Sequence, residues 1–363
     1  MQKPDVQTLA SAARLAIKTE QFLDAEKFVR MALEIDGENP GLVTNLVRLL
    51  VLKEDWAAAS DFAQRLIGSE DSKALGHYLQ AGLNIRLDEK DKAIKNLELS
   101  LQYQANAVES LTSIAGLISE QKGRPAAISY VTAHCDKYPE QAHCQYVLGS
   151  LYAQDKKFDM AVTKLEKALA INEKLVAGYR QLAKVYAAKD DKAQLEKTLM
   201  RGIEATNRVG LSFDLAGLYY QTARYAEAAE VYKNIVARTE GEKALSAKNN
   251  LAMIYAENIA TEESLKEARA LIVDLQDSEN AAFLDTVGWV MYLTGDFEQA
   301  VSYLTAAVDK LGSSEYLQYH LGMAHYKNGD SESARQHLQL ATQNEAANYP
   351  GLEEAKATLA ILK

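Results

Sequence analysis

Residues 288–307 read GWVMYLTGDFEQAVSYLTAA, and residues 322–341 read GMAHYKNGDSESARQHLQLA. Small and turn-forming residues, with one leucine, recur at a constant offset of 34 residues: Gly288, Gly295, Asp296, Ala300, Leu304 and Ala307 recur as Gly322, Gly329, Asp330, Ala334, Leu338 and Ala341. Within Asn280 to Ala347, each copy predicts a helix, a short polar turn carrying Gly-Asp, and a second helix. This period, with small residues where two helices must touch, is typical of a helical-hairpin solenoid.

The same register extends backwards from this pair, so that about ten copies span the chain. The clearest single copy is the fifth, and the seventh takes Gly217 as its small residue. In the eighth copy the alanine of the second helix, Ala268, lies about four residues later than the repeat period predicts. We therefore expect the connector from Asn258 to Ser264 to bulge outward. Residues 352–362 predict one amphipathic helix. We therefore divide the chain into an all-α solenoid at residues 1–347 and a C-terminal capping helix at residues 348–363.

Composition and charge narrow the classes of partner. The net charge is −10, the isoelectric point is near 5.3, and the sequence has no long run of Lys or Arg. Because phosphate binding needs concentrated positive charge, nucleic acid is not expected as a partner. No apolar run approaches the roughly 18 residues that suggest a membrane span, so we expect no membrane insertion by this chain. The polar start from Met1 to Ala10 does not resemble a signal peptide, and the compartment stays open.

The repeated residues resemble the tetratricopeptide repeat (TPR) family over nearly the whole chain. The family pattern stands in the fifth copy, and again in the tenth with His325 where Tyr is usual: Leu148, Gly149, Tyr152, Ala161, Leu165 and Ala168, then Leu321, Gly322, Ala334, Leu338 and Ala341. The resemblance implies a right-handed superhelical solenoid of about ten hairpins whose first helices line an inner, partner-binding face. It also implies a protein or peptide ligand, with no catalysis and no cofactor.

A narrower resemblance concerns residues 284–290 and 320–324, which read LDTVGWV and HLGMA. They look like the C-terminal part of TPR lipoproteins from bacterial PEP-CTERM and exopolysaccharide systems. This likeness implies a scaffold in a periplasmic or envelope-associated assembly. Two alternatives stay open: the chain is the repeat portion of a longer enzyme, such as a glycosyltransferase, or it is a cytoplasmic adaptor or co-chaperone.

Two sets of residues are candidates for partner binding on the face of the first helices. Residues at i, i+4 and i+7 share one face of a helix, and the C-terminal repeats place aromatic and Met side chains there: Asp285, Trp289 and Tyr292, then Tyr316, Tyr319, Met323 and Tyr326. Such side chains suit an apolar peptide or helix, although the tyrosines are also expected in packing roles. The second set could hold a carboxylate or form a plain solvated face: Arg180, Lys184, Asn249 and Asn250.

The two cysteines stand beside histidines, as His134-Cys135 and His143-Cys144. Adjacent ligands on a helix point about a hundred degrees apart, and no Cys-x-x-Cys spacing is present, so we expect no zinc site. The pattern favours two reduced, packed cysteines, with a Cys135–Cys144 disulfide as the alternative. No Gly-rich phosphate loop, His-Glu-x-x-His or Gly-x-Ser-x-Gly motif occurs, so the sequence predicts neither an active site nor a cofactor.

Overall fold

The protein was described from a computed structural model, which covers residues 5–37, 39–104, 106–311, 314–344 and 346–362. Across these residues the chain forms helices and connecting turns, with no β-strand, so the prediction of an all-α solenoid is confirmed. Ten helical hairpins follow one another and a single helix, α21, comes last. The prediction of about ten hairpins is confirmed within the same residues.

The chain divides into two compact units, and the boundary along the sequence falls between Leu195 and Glu196, inside helix α12. The first unit contains α1 to α11 and the start of α12: Val6–Lys18, Phe22–Ile35, Pro40–Leu52, Trp56–Gly68, Lys73–Arg86, Lys90–Tyr103, Val108–Lys122, Arg124–Lys137, Ala142–Gln154, Phe158–Ile171, Val176–Ala188 and, for α12, Lys192–Thr206. A 3-10 turn at Glu70–Ser72 precedes α5.

The second unit contains the rest of α12 and helices α13 to α21: Val209–Gln221, Tyr225–Arg238, Glu242–Met253, Glu262–Leu271, Ala281–Leu293, Phe297–Leu311, Glu315–Lys327, Ser331–Thr342 and Leu352–Ile361. A π-helical turn at Ile254–Ile259 follows α15, and a 3-10 turn at Ile272–Leu275 follows α16. Helix α21 lies where the capping helix was expected, while the boundary at residue 347 stays a prediction.

Each turn between the two helices of a hairpin contains a residue in the left-handed backbone conformation, because a tight turn between antiparallel helices needs one residue with positive φ. Gly295 and Gly329 supply it in the last two hairpins, both with φ of +87°. Non-glycine residues take the equivalent place in most of the others, as Glu20 and Asp88 do. Asp330 also caps α20, since its carboxylate accepts a hydrogen bond from the Ser333 amide at 3.0 Å.

The seam between the two helices of a hairpin is built from small residues, as the repeat predicts. A β-carbon added to Gly288 would lie 2.5 Å from Cγ of Leu304, and one added to Gly149 would lie 2.6 Å from Cγ of Leu165. In the seventh hairpin the assignment of Gly217 is wrong. Ala216 is the fully buried small residue there, whereas Gly217 faces open space, because that copy begins one residue early.

The eighth hairpin absorbs its extra length differently from the outward bulge that we expected. Helix α15 continues into the π-helical turn at Ile254–Ile259, which includes the first two residues of the expected connector, and Tyr255 within it is buried. Thr261 then begins the next helix in a capping box with Ser264, whose amide donates to the Thr261 hydroxyl at 3.1 Å. Only the short tip at residues 260–263 is exposed. None of the described helices is both long and apolar enough to cross a bilayer.

Candidate functional site

The aromatic residues predicted to bind a partner form a packed C-terminal cluster, which we define as Trp289, Tyr292, Tyr316, Tyr319, His320 and Tyr349. The Trp289 indole stacks on Tyr292 with ring centroids 4.6 Å apart, and on His320 with centroids 3.9 Å apart. Trp289 is only 5% exposed. The Trp289 ring, a predicted partner-binding residue, is therefore enclosed between its neighbours.

The C-terminal segment covers this cluster. The Tyr349 ring lies 5.8 Å from the rings of both Tyr316 and Tyr319, and its hydroxyl donates to the Ala341 carbonyl at 2.8 Å. On α21, Glu354 accepts a hydrogen bond from the Tyr319 hydroxyl at 2.7 Å. Gly351, with φ of +90°, lies so close to the Tyr319 ring that a β-carbon there would overlap it. The segment thus occupies the space that a partner would need to reach Trp289.

A polar network runs beneath the aromatic rings. His320 is completely buried, and its Nδ1 donates to Asp285 Oδ1 at 2.8 Å. The π-helical turn aims Glu257 at the same place, where its Oε1 accepts from the Tyr316 hydroxyl at 2.7 Å and lies 3.8 Å from His320 Nε2. Trp289 Nε1 has no hydrogen-bond partner among the described residues. Since an unpaired buried donor costs about 1–3 kcal/mol, stacking and burial must hold the indole in place.

Burial is the main cause of the raised pKa values of the tyrosine side chains in the C-terminal cluster. It raises the pKa of Tyr316 and of Tyr319, and the nearby carboxylates of Glu257 and Glu354 raise each further. Burial likewise raises the pKa of Tyr292 to about 12. These three hydroxyls therefore stay protonated at neutral pH, and a protonated phenol is a weak nucleophile.

Most residues of the predicted aromatic set are not accessible in this structure. Asp285, Trp289, Tyr292, Tyr319 and Met323 are buried, and Tyr316 and Tyr326 are partly buried. Helical spacing alone placed them correctly on the first helices, but it could not show that residues 346–361 return to cover them. Their role in partner binding stays a prediction.

The second predicted set falls in both units. Arg180 and Lys184 are exposed on α11, in the first unit. Asn249 and Asn250 are partly buried on α15, in the second unit, where Asn250 donates to the Tyr232 hydroxyl at 3.0 Å. Asn249 in turn donates to the Asn250 side-chain oxygen at 3.2 Å. The two asparagines thus have structural hydrogen bonds, and a binding role for this set stays a prediction.

The cysteines are joined, so the expectation of two reduced side chains is wrong and the alternative holds. Cys135 near the end of α8 and Cys144 near the start of α9 form a disulfide with their α-carbons 5.5 Å apart. The short connection between the two helices brings the two cysteines together. Because they lie on different helices, their spacing in the sequence could not show whether they are close enough to bond. Among the described residues, no group of three or more His, Cys, Asp or Glu side chains is placed to hold a metal ion.

An open apolar groove, which the sequence analysis missed, lies in the first unit along helices α3, α5 and α7. It encloses about 400 Å³, and its walls are mainly apolar: Val47, Val51, Leu52, Tyr78, Leu79 and Ile85. Gly82 forms part of it, and a β-carbon there would meet no atom within 4 Å. Leu52 is 57% exposed and Ile85 is 39% exposed. We call this feature the first-unit groove.

The charged residues that line the first-unit groove are both basic, Arg48 and Arg86. Both are exposed, and neither forms an ion pair with another described residue. A sequence signal for the groove exists: Arg48, Gly82 and Gly116 follow one another at 34-residue intervals, one position after the small packing residue. Trp289 and Met323 hold the corresponding place in the last two hairpins, so the glycines mark where this face is left open.

Comparison with known proteins defines the class. Residues 142–175 and 294–352 match tetratricopeptide repeat family models. The first segment is the fifth hairpin, the clearest copy by sequence, and the second includes the tenth. These two segments therefore match tetratricopeptide repeats, which supports the TPR assignment. A comparison with curated proteins finds no match.

Solved structures with the same kind of fold are distant. A chain in the APC/C hetero-tetramer Cut9–Hcn1 is 12% identical, covering 99% of this chain and 96% of that one, with a TM-score of 0.42. A tetratricopeptide repeat protein from Parabacteroides merdae is 15% identical, covering 88% and 98%, with a TM-score of 0.32. YrrB, described as a TPR protein with an unusual peptide-binding site, is 15% identical, covering 62% and 97%, with a TM-score of 0.37.

Proposed function

We propose that this chain is a non-catalytic scaffold that binds a segment of a partner protein on the face lined by its first helices. The first-unit groove carries the proposal. It is an open apolar cleft of about 400 Å³ bordered by exposed Leu52 and Ile85. Clefts of roughly 300–1,000 Å³ with apolar walls and a few polar groups are typical binding sites. Solvent exposure of several large apolar side chains in one place is costly unless something binds there.

The C-terminal cluster takes a secondary place in this proposal. A partner could contact Trp289, Tyr292 or Tyr319 only after residues 346–361 moved away, since Tyr349, Gly351 and Glu354 now cover those rings. Partly buried Tyr326 is reachable without such a change. We therefore place the principal binding surface in the first unit, and expect exposed Arg180 and Lys184 to contribute less.

A filled-groove variant tests the proposal. Gly82→Leu puts a side chain into the groove, whereas Gly217→Leu makes the same change on α13, where the glycine also faces open space. Both changes raise helix propensity by a similar amount, so neither should harm the fold. Peptides are selected from a random display library on the parent protein, and their dissociation constants are then measured for both variants.

The expected result is that Gly82→Leu weakens the selected peptides by about thirtyfold or more, because it blocks an apolar anchor site. The matched control should stay within about threefold of the parent. Equal affinities for the parent and Gly82→Leu, with circular dichroism unchanged, would show that the first-unit groove is not the binding surface.

We further propose that the scaffold works in a periplasmic or envelope-associated bacterial assembly, related to exopolysaccharide export. The Cys135–Cys144 disulfide supports an oxidising compartment. The likeness of residues 284–290 and 320–324 to envelope TPR lipoproteins supports the envelope context. The test is to alkylate free thiols in intact cells that produce the natural gene product, and then to measure the mass. Two unmodified cysteines in the envelope fraction are expected, and two alkylated cysteines would favour the cytoplasmic adaptor instead.

A further inference from the structure

We infer that the first-unit groove takes an acidic segment of a partner protein, with a large apolar side chain in the cleft and carboxylates on Arg48 and Arg86. This inference rests on the proposed function and adds the chemistry of the ligand. Its basis is the combination of an apolar floor with a lining whose charges are only positive.

The apolar part of the ligand follows from the shape of the groove. Gly82 removes the side chain that would otherwise fill its centre, and the exposed faces of Leu52 and Ile85 lie at its edge. A leucine or a similar side chain would cover this surface, at about 25 cal/mol for each Å² of apolar area removed from water. A fully polar ligand would leave this apolar surface exposed to water, so the ligand must carry at least one apolar side chain.

The acidic part follows from charge. The chain as a whole carries a net charge of −10, yet no Asp or Glu lines this groove. Arg48 and Arg86 have no carboxylate partner within the described residues, whereas several other cations of the first unit pair with a carboxylate on a neighbouring hairpin, as Lys53 does with Glu26 and Lys90 does with Glu120. Guanidinium groups prefer carboxylate oxygens, which they bind with paired hydrogen bonds. Two isolated cations are too few for a nucleic-acid backbone.

The experiment uses peptides obtained from the random display library, synthesised with a fluorescent label and measured by fluorescence anisotropy on the intact protein. The selected pool should be enriched in Asp or Glu next to Leu, Ile or Phe. Arg48→Gln and Arg86→Gln should each weaken the best peptide by about three- to tenfold, as is usual for charges at the edge of an interface. Arg335→Gln is the control and should have no effect, because Arg335 is an exposed side chain on α20 that forms no ion pair with another described residue.

A second peptide, with its acidic residues changed to Gln, separates charge from shape. It should bind the parent protein about as weakly as the original peptide binds the double variant Arg48→Gln/Arg86→Gln, and it should not respond to either substitution, since both interactions are already lost. Raising the salt concentration should weaken the acidic peptide and leave the Gln peptide nearly unchanged.

Three other outcomes would overturn the inference. Binding that Gly82→Leu abolishes, but that neither arginine variant nor salt affects, overturns the acidic-segment inference and leaves the scaffold proposal standing. Binding that Gly82→Leu leaves intact overturns both. A second copy of this chain is the competing occupant, since the chain is itself acidic. A concentration-dependent dimer in sedimentation experiments, lost in Gly82→Leu and displaced by no acidic peptide, would also overturn the inference.

Discussion

Substitution of Gly351 by alanine should detach the C-terminal segment from the second unit. Gly351 has φ of +90°, a region that costs a residue with a β-carbon about 1–2 kcal/mol. The new methyl group would also overlap the Tyr319 ring, which is 3% exposed and tied to Glu354 by a 2.7 Å hydrogen bond. Forcing extra volume into such a packed site costs about 1–3 kcal/mol more. The total loss of stability should be about 2–5 kcal/mol.

Gly329→Ala is a matched control, because that glycine has φ of +87° but a β-carbon there would meet no atom within 4 Å. It should lose only the backbone part, about 1–2 kcal/mol. The difference between the two variants, about 1–3 kcal/mol, therefore measures the contact between Gly351 and Tyr319. Divided by a urea m-value of about 2–3 kcal/mol/M, this corresponds to a midpoint difference of about 0.3–1.5 M.

Tryptophan fluorescence gives a local readout of this effect. The chain has two tryptophans, Trp56 in the first unit and Trp289 in the second, so a Trp56→Phe background isolates the cluster. In Gly351→Ala we expect the emission to shift to the red even without urea, because water reaches the indole when the segment leaves. Equal midpoints and equal emission spectra for Gly351→Ala and Gly329→Ala would refute the packing argument.

Three further predictions concern the rest of the structure. Trp289→Ala should destabilise the second unit by about 3–5 kcal/mol in urea unfolding, as expected for a buried aromatic side chain, and a loss below about 1 kcal/mol would mean that the ring is not enclosed. Reduction of the Cys135–Cys144 disulfide, which spans 9 residues, should cost about 2–3 kcal/mol, measured by denaturation with and without reductant. The double Cys→Ser variant is the control for that experiment and should not respond to reductant. His337 is partly buried, and burial, followed by the charge of nearby His325, lowers its pKa from 6.5. The unfolded chain then binds the proton first, so stability should fall as the pH drops below about 6.5, and His337→Gln should remove that part of the pH dependence.

The turns between helices are features that the local sequence is enough to predict. Gly295 and Gly329 recur with Asp296 and Asp330, and both glycines adopt the left-handed conformation that the hairpin turn needs. The seam of Gly288 against Leu304 follows from the same repeat. These features depend on residues within one hairpin and its neighbour, so a period of 34 residues contains all the information that they require. The fold was predictable for that reason.

The eighth hairpin marks the limit of such reasoning. The sequence showed that Ala268 comes late, but an outward bulge and a π-helical turn accommodate the same extra residues. Burial of Tyr255 and the hydrogen bond from Tyr316 to Glu257 favour the turn, and the second of these contacts joins residues 59 positions apart. The pairing of Cys135 with Cys144 was undecided for a related reason, since it depends on how α8 and α9 approach each other.

The sequence by itself therefore determined the all-helical repeat, the position of each hairpin to within a few residues, and which helix faces carry aromatic side chains. Only the tertiary structure decided which of those faces is open. Tyr349, Gly351 and Glu354 lie beyond the last repeat and return to cover Trp289 and Tyr319, while a β-carbon placed on Gly82 would meet none of the described residues within 4 Å. Exposure is a property of everything that packs against a residue, including parts of the chain that share no periodicity with it, and so it cannot be read from helical spacing alone.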